Sequence, residues 1–179
     1  MPSQFWEAHI GGPPQPVAGS ALLSSTTLTD VSPAPQITIP ANFLNYYGAT
    51  IRLTSFGFFS NTLTPTLLLG FYYGGVAGVT LGNSGAVTTT TGATSWPWRL
   101  EMTCTVRTTG STGTIMCQGF LDLGTSLTAV TRIPIPNTSL AVVTIDTTSA
   151  KAITTGAQWG ANSASNTLTC HQMLAESLA

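Results

Sequence analysis

The stretch WRLEMTCTVR, residues 98–107, decides the fold. Trp98, Leu100, Met102, Cys104 and Val106 alternate without a break with Arg99, Glu101, Thr103, Thr105 and Arg107. A period of two is the mark of a strand with one dry and one wet face, because successive Cβ atoms point to opposite sides of a sheet. Residues 108–114 carry Gly110 and Gly113 and supply a turn. Beyond it Ile115, Cys117, Gly119, Leu121 and Leu123 resume the apolar register, with Gln118 and Asp122 on the other face. Two such runs around a glycine-containing turn form a β-hairpin. With the turn centred near Gly110 and Ser111, opposed residues have indices summing to about 221. Cys104 then faces Cys117, and Glu101 and Asp122 are diagonal neighbours on the outward face.

Working outward, the chain beyond residue 36 reads as β throughout. Thr, Val, Ile and aromatics dominate, punctuated by Gly, Asn, Ser and Pro. Further strands are expected at 37–39, 50–60, 66–73, 141–147, 153–159 and 167–174. In 50–60, Ile51 and Leu53 choose one face and Phe56 and Phe58 the other, which predicts a bulge near 55–57. A short turn over 41–47 is the one helical candidate. Strands in this number, with turn signals between them, predict an all-β fold: an antiparallel β-sandwich, jelly-roll-like, in one domain over 21–179. Residues 1–20 read as an extended Pro-rich N-terminal arm and 21–40 as a Pro-rich lead-in. Seven of the eleven prolines fall in the first 40 residues, and proline removes a ladder donor and fixes φ.

Charge is scarce. Only 6% of the 179 residues are charged, with a formal net charge of −1, against about 25% in ordinary domains. Polarity comes instead from 32 Thr and 16 Ser. One lysine and four scattered arginines make no basic patch, so nucleic acid is not an expected partner. No apolar run is long enough for a membrane helix, so no membrane partner is expected either. Residues 1–10 have neither a basic nor an apolar signal region, which predicts synthesis in the cytoplasm or a chain already processed.

The residues offer little for catalysis, and no enzyme activity is expected. His9 lies in the arm. His171 follows Cys170 in a strand, where neighbours point to opposite faces and cannot form a nucleophile–base pair. Glu101 and Asp122 sit on a flat face near Arg99 and Arg107, which favours charge pairing over acid–base work. No metal or cofactor motif is present, so neither is expected. For Cys104 and Cys117 the expectation is two small apolar core residues, since an odd cysteine count without a signal peptide argues against a disulfide framework. A cross-strand disulfide is the alternative that the hairpin register allows.

Large apolar groups exceed what a tail needs. Phe5, Trp6 and Ile10 in the arm should be buried against the domain itself or a neighbouring copy. Tyr72 and Tyr73 are adjacent on a strand, so one ring points each way, and the same holds for Phe58 and Phe59. A ring on both faces predicts that the arm or another subunit covers the second face. These considerations make Phe5, Trp6, Ile10, Tyr72 and Tyr73 the candidate interface residues. A platform of exposed aromatics for carbohydrate is a third possibility.

The strings ALLSSTTLTDVSPAPQITIPANFL, TIRLTSFGFFS, TPTLLLGFYYGGVAG and NTLTCHQMLAESL together resemble a group of tailed-phage virion proteins, particularly from phages of actinobacteria. The resemblance spans most of residues 21–178. It implies a structural component of the virion, most like a capsid decoration or head-fibre protein. It further implies a homo-oligomer, with a trimer the expected form, and the major capsid protein or another virion protein as partner. In that role Phe5, Trp6 and Ile10 would dock on the shell or on a sister subunit. A minor tail, baseplate or receptor-binding protein is the nearest alternative, and a carbohydrate-binding β-sandwich module the next.

Overall fold

A computed structural model describes residues 8–10, 15–139 and 141–178. In chain order the strands are β1 (Ala8–His9), β2 (Leu22–Leu23), β3 (Thr29–Asp30), β4 (Ile37–Ile39), β5 (Thr50–Ser60), β6 (Thr66–Tyr73) and β7 (Val79–Asn83). They continue with β8 (Val87–Thr88), β9 (Trp96–Thr108), β10 (Gly113–Gly124), β11 (Val130–Ile135), β12 (Val142–Ile145), β13 (Lys151–Trp159) and β14 (Thr167–Ser177). They build two antiparallel sheets packed face to face. The larger runs β1-β14-β5-β9-β10-β11, with β12 also on β10 and β2 on β14. The smaller runs β3-β13-β6-β7, with β4 also on β13 and β8 on β6. β5 pairs with β14 in one sheet while β6 pairs with β13 in the other. The two connections therefore cross between the sheets side by side, in the manner of a jelly roll.

The decisive hairpin forms with the expected register. Cys104 opposes Cys117 and Trp98 opposes Leu123, and the inward residues from Trp98 to Val106 and from Ile115 to Leu123 are buried, Gly119 alone being intermediate. One irregularity lies at Arg107, where the pairing shifts between Thr114 and Ile115. Phe59, Trp96, Trp98 and Trp159 gather at one end of the core, with Phe59 edge-on to Trp96 at 6.3 Å. Near the middle, a buried hydrogen bond between the hydroxyls of Ser55 and Thr155, 2.6 Å long, joins the sheets. Residues 41–47 form successive turns rather than a helix, with Asn42 at φ 61°.

Two expectations about cysteine and bulge are corrected. Cys104 and Cys117 form a disulfide rather than an unlinked apolar pair, with their Cα atoms 4.1 Å apart. Direct opposition in the closer kind of antiparallel pair brings the sulfurs together, whatever the cysteine count. The bulge exists, but on the partner strand. β5 keeps strict alternation, and the extra residue is His171 of β14, between the pairs Cys170–Gly57 and Gln172–Phe56.

The arm is also partly resolved into the domain. Ile10 is 3% exposed and belongs to the core, and its N–H donates to the carbonyl of Ala175 at 2.8 Å. Further along, Gln15 Oε1 accepts from the N–H of Met173, and Gly19 N–H donates to Cys170 O. β1 and β2 pair with the two ends of β14. Residues 8–10 and 15–23 thus cover an edge that would otherwise offer unpaired backbone groups to other molecules. Removing residues 1–20 is accordingly expected to destabilise the domain by at least about 2 kcal/mol, through loss of Ile10 alone. Concentration-dependent self-association should accompany it. Thermal unfolding and light scattering would check both; an unchanged, monodisperse truncated domain would contradict this account.

Three ionisable groups set a pH window for stability. Burial pushes the Cys170 thiol up to about 12 and the Tyr73 hydroxyl up to about 12, with Asp146 adding to the latter. Hydrogen bonds from Ser149 and Thr148 hold the Asp146 carboxyl down at about 2. An unfolded chain releases the first two protons near 9 and 10, so it binds fewer protons than the folded chain above that point. Stability should therefore fall as pH rises from about 9 towards 12. At the acid end, Asp146 contributes above about pH 4 and loses that contribution as pH falls towards 2. Urea midpoints measured across pH would show a plateau between these limits.

Candidate functional site

The outer face of the larger sheet gathers most of the molecule's charge. Of eleven charged side chains, seven stand there: Arg52, Arg99, Glu101, Arg107, Asp122, Arg132 and Glu176. The strand registers place them in rows across the sheet. Gln172, Phe56, Arg99, Asp122 and Arg132 lie side by side on successive strands. The next row carries Leu174, Thr54, Glu101, Phe120 and Pro134.

Aromatic rings and guanidinium groups interleave in this array. Arg132 Cζ lies 3.9 Å from the centroid of Phe120, and its Nε and Nη2 donate to the two carboxylate oxygens of Asp122 at 2.7 and 2.8 Å. Arg99 Cζ lies 5.7 Å from Phe56 and 6.0 Å from Phe120, and its guanidinium bonds Glu101. The resulting ladder, Phe56–Arg99–Phe120–Arg132, is a run of cation–π contacts, each worth about 0.5–1 kcal/mol when exposed. Glu101 and Asp122 are thus the charge partners of arginines, with Arg132 in the place expected for Arg107. Arg107 lies against Met116 instead.

Beside the ladder the surface sinks into an open groove of about 770 Å³. Phe56 and Phe58 line it, flanked by Pro16, Pro97 and Val130. Phe58 is 46% exposed, and its ring meets the His171 imidazole edge-on at 5.4 Å. The bulge explains why His171 and Gln172 both face outward. An extra residue breaks alternation and re-aims the side chain that follows. Gly57, between the two phenylalanines, lets the Trp98 indole pack directly beneath the strand.

The sequence-derived interface residues fall elsewhere. Phe5 and Trp6 lie outside the described residues. Ile10 is buried in the domain's own core, the first of the two burials expected for it. Tyr73 points inward, 4% exposed, and donates its hydroxyl to Asp146 O at 2.9 Å. Tyr72 points outward yet is only 2% exposed. A Cβ added to Gly156 would meet its ring at 2.5 Å and Val76 at 3.1 Å, and Asn83 bonds its hydroxyl. The cover over Tyr72 is therefore the domain's own loop at 74–78, not the arm or another subunit. What sequence reasoning missed is Phe120 with Arg132, and the groove beside them. The signal was present, since alternation from Cys117 and Leu121 puts Phe120 outward.

Such a molecule belongs to the class of two-sheet antiparallel β-sandwich proteins with a preformed aromatic–arginine face. Comparison with protein-family models, with curated proteins and with solved structures finds no match to this chain.

Proposed function

We propose that this chain is a structural, non-catalytic subunit of a tailed-phage virion, and that it works through the outer face of its larger sheet. The observation that carries this reading is the concentration of charge on that one face, interleaved with Phe56, Phe58 and Phe120. The β14 edge is covered by residues 8–10 and 15–23, and Tyr72 by its neighbouring loop. Polarity supplied by hydroxyls, with arginines paired to carboxylates within and across strands, suits close packing of identical copies without like-charge repulsion. The setting is taken from the resemblance of four strings within residues 21–178 to virion proteins. Docking falls to the sheet face rather than to Ile10, which the domain keeps for itself.

A place in the tail or baseplate, as a receptor-binding component, is the second reading. The groove at Phe58 favours it, because a shell component needs no concave site. Quantitative mass spectrometry of purified particles decides between them. Many copies per particle are expected of a shell component and a few of a tail component. Absence of the chain from particles would overturn both.

A further inference from the structure

We propose that the groove beside Phe58 binds a neutral saccharide. The proposal rests on the outer face being a recognition surface, and does not depend on placement in the shell or the tail. At about 770 Å³ the groove has the size of a small-molecule site. Its apolar part is a half-exposed phenylalanine held edge-on by His171, with Phe56 beside it and Pro16, Pro97 and Val130 around it. A ring fixed in this way offers its face to the C–H face of a pyranose without losing much side-chain freedom.

The polar part fits hydroxyls better than ions. Among the described residues, neither His171 nor Gln172 has a hydrogen-bonding partner for its side chain, and the bulge presents both side by side. The Gln172 amide brings donors and an acceptor together, and the His171 imidazole adds its ring nitrogens beside them. A sugar hydroxyl, itself donor and acceptor, satisfies such a mixed set. The charged groups at the groove are already neutralised, Arg99 by Glu101 and Asp122 by Arg132. An anionic ligand thus finds no unpaired cation there. A peptide strand is also poorly served. The groove lies on the face of the sheet, where the backbone groups of β14, β5 and β9 are engaged with one another, so no edge is open for strand addition.

The test is binding of the full chain to an array of immobilised neutral oligosaccharides, with uronic-acid and sialylated glycans and a proline-rich peptide as further arms. Retention on a neutral class is expected, unchanged when NaCl is raised to about 0.5 M. Phe58→Ala and Gln172→Ala should each weaken it about tenfold or more, with unfolding temperatures close to that of the parent. Arg107→Ala, at the far end of the face, should leave it unaltered. No neutral saccharide held more strongly than by the Phe58→Ala/Gln172→Ala double variant overturns the proposal. So does binding confined to acidic glycans and lost in salt, or binding of the peptide alone. A negative array with the chain still found in particles removes the saccharide and leaves the virion reading standing. A positive array with the chain absent from particles does the reverse.

Discussion

Gly57→Ala is expected to lower stability by about 3 kcal/mol, the upper end of the usual cost of overpacking a core. A Cβ at this position would lie 1.9 Å from the Thr169 carbonyl oxygen and 2.7 Å from two carbons of the Trp98 indole. Neither neighbour can move freely. Thr169 is held in the β14 ladder against Phe58, and Trp98 is fully buried in the core. The indole N–H of Trp98 has no acceptor among the described residues, so packing alone fixes that ring. Displacing it would leave a void on one side and a clash on the other. Gly48→Ala makes the contrast. Gly48 has φ +80° and open space around its Cα, so its substitution should cost only the left-handed conformation, about 1–2 kcal/mol. Urea unfolding of the two variants separates steric from conformational need. Equal midpoints would contradict the packing account. Because Phe56 and Phe58 flank Gly57, its replacement should also disturb the groove, whereas Gly48→Ala should not.

That prediction also shows where sequence reasoning reached and where it stopped. β4, β5 and β6 begin and end where alternation and punctuation place them, and the β9–β10 register follows from the position of one turn. These are local signals, repeated at every second residue. The split loyalty of Phe56 and Phe58 in β5 was equally legible, yet it invited a bulge in their own strand. Period two cannot tell a kinked strand from a straight one with rings on its outer face. Only the pairing partner resolves it, and the extra residue proved to be His171, more than a hundred positions away. The same limit hid the arginine ladder. Arg132 reaches Phe120 and Asp122 because β11 pairs with β10, whereas the sequence offered Arg107 as the nearer cation. Tyr72 failed for a related reason. Two adjacent rings do point to opposite faces, but a loop of the same chain can cover the outer one, and alternation carries no information about loops. Ile10 shows the reverse case: its apolar side chain required burial, and the site of that burial depended on an open edge of β14.

The Cys104→Ala/Cys117→Ala double variant is expected to lose about 3 kcal/mol, because the bond closes a short loop in the unfolded chain. For a chain of this length, that corresponds to a fall in unfolding temperature of roughly 6–12 °C. The two residues lie on the inward face of the β9–β10 hairpin, fully buried, so reductant reaches them only when the sheet opens. Added reductant should therefore have little effect on the folded protein and a large one on refolding and on the urea midpoint. Thiol labelling reads the same bond directly. Cys170 is the free cysteine and is buried, with its thiol pushed up to about 12. It should resist alkylation until the chain is unfolded. Unfolding without reductant should then expose one reactive thiol, and unfolding with reductant all three cysteines. The unreduced chain should also be lighter by two hydrogens. Three thiols labelled in the absence of reductant would remove the disulfide and restore the unlinked apolar pair. In that case the hairpin would be held by side-chain packing and its ladder alone, and the double alanine variant would cost only the packing of two small side chains.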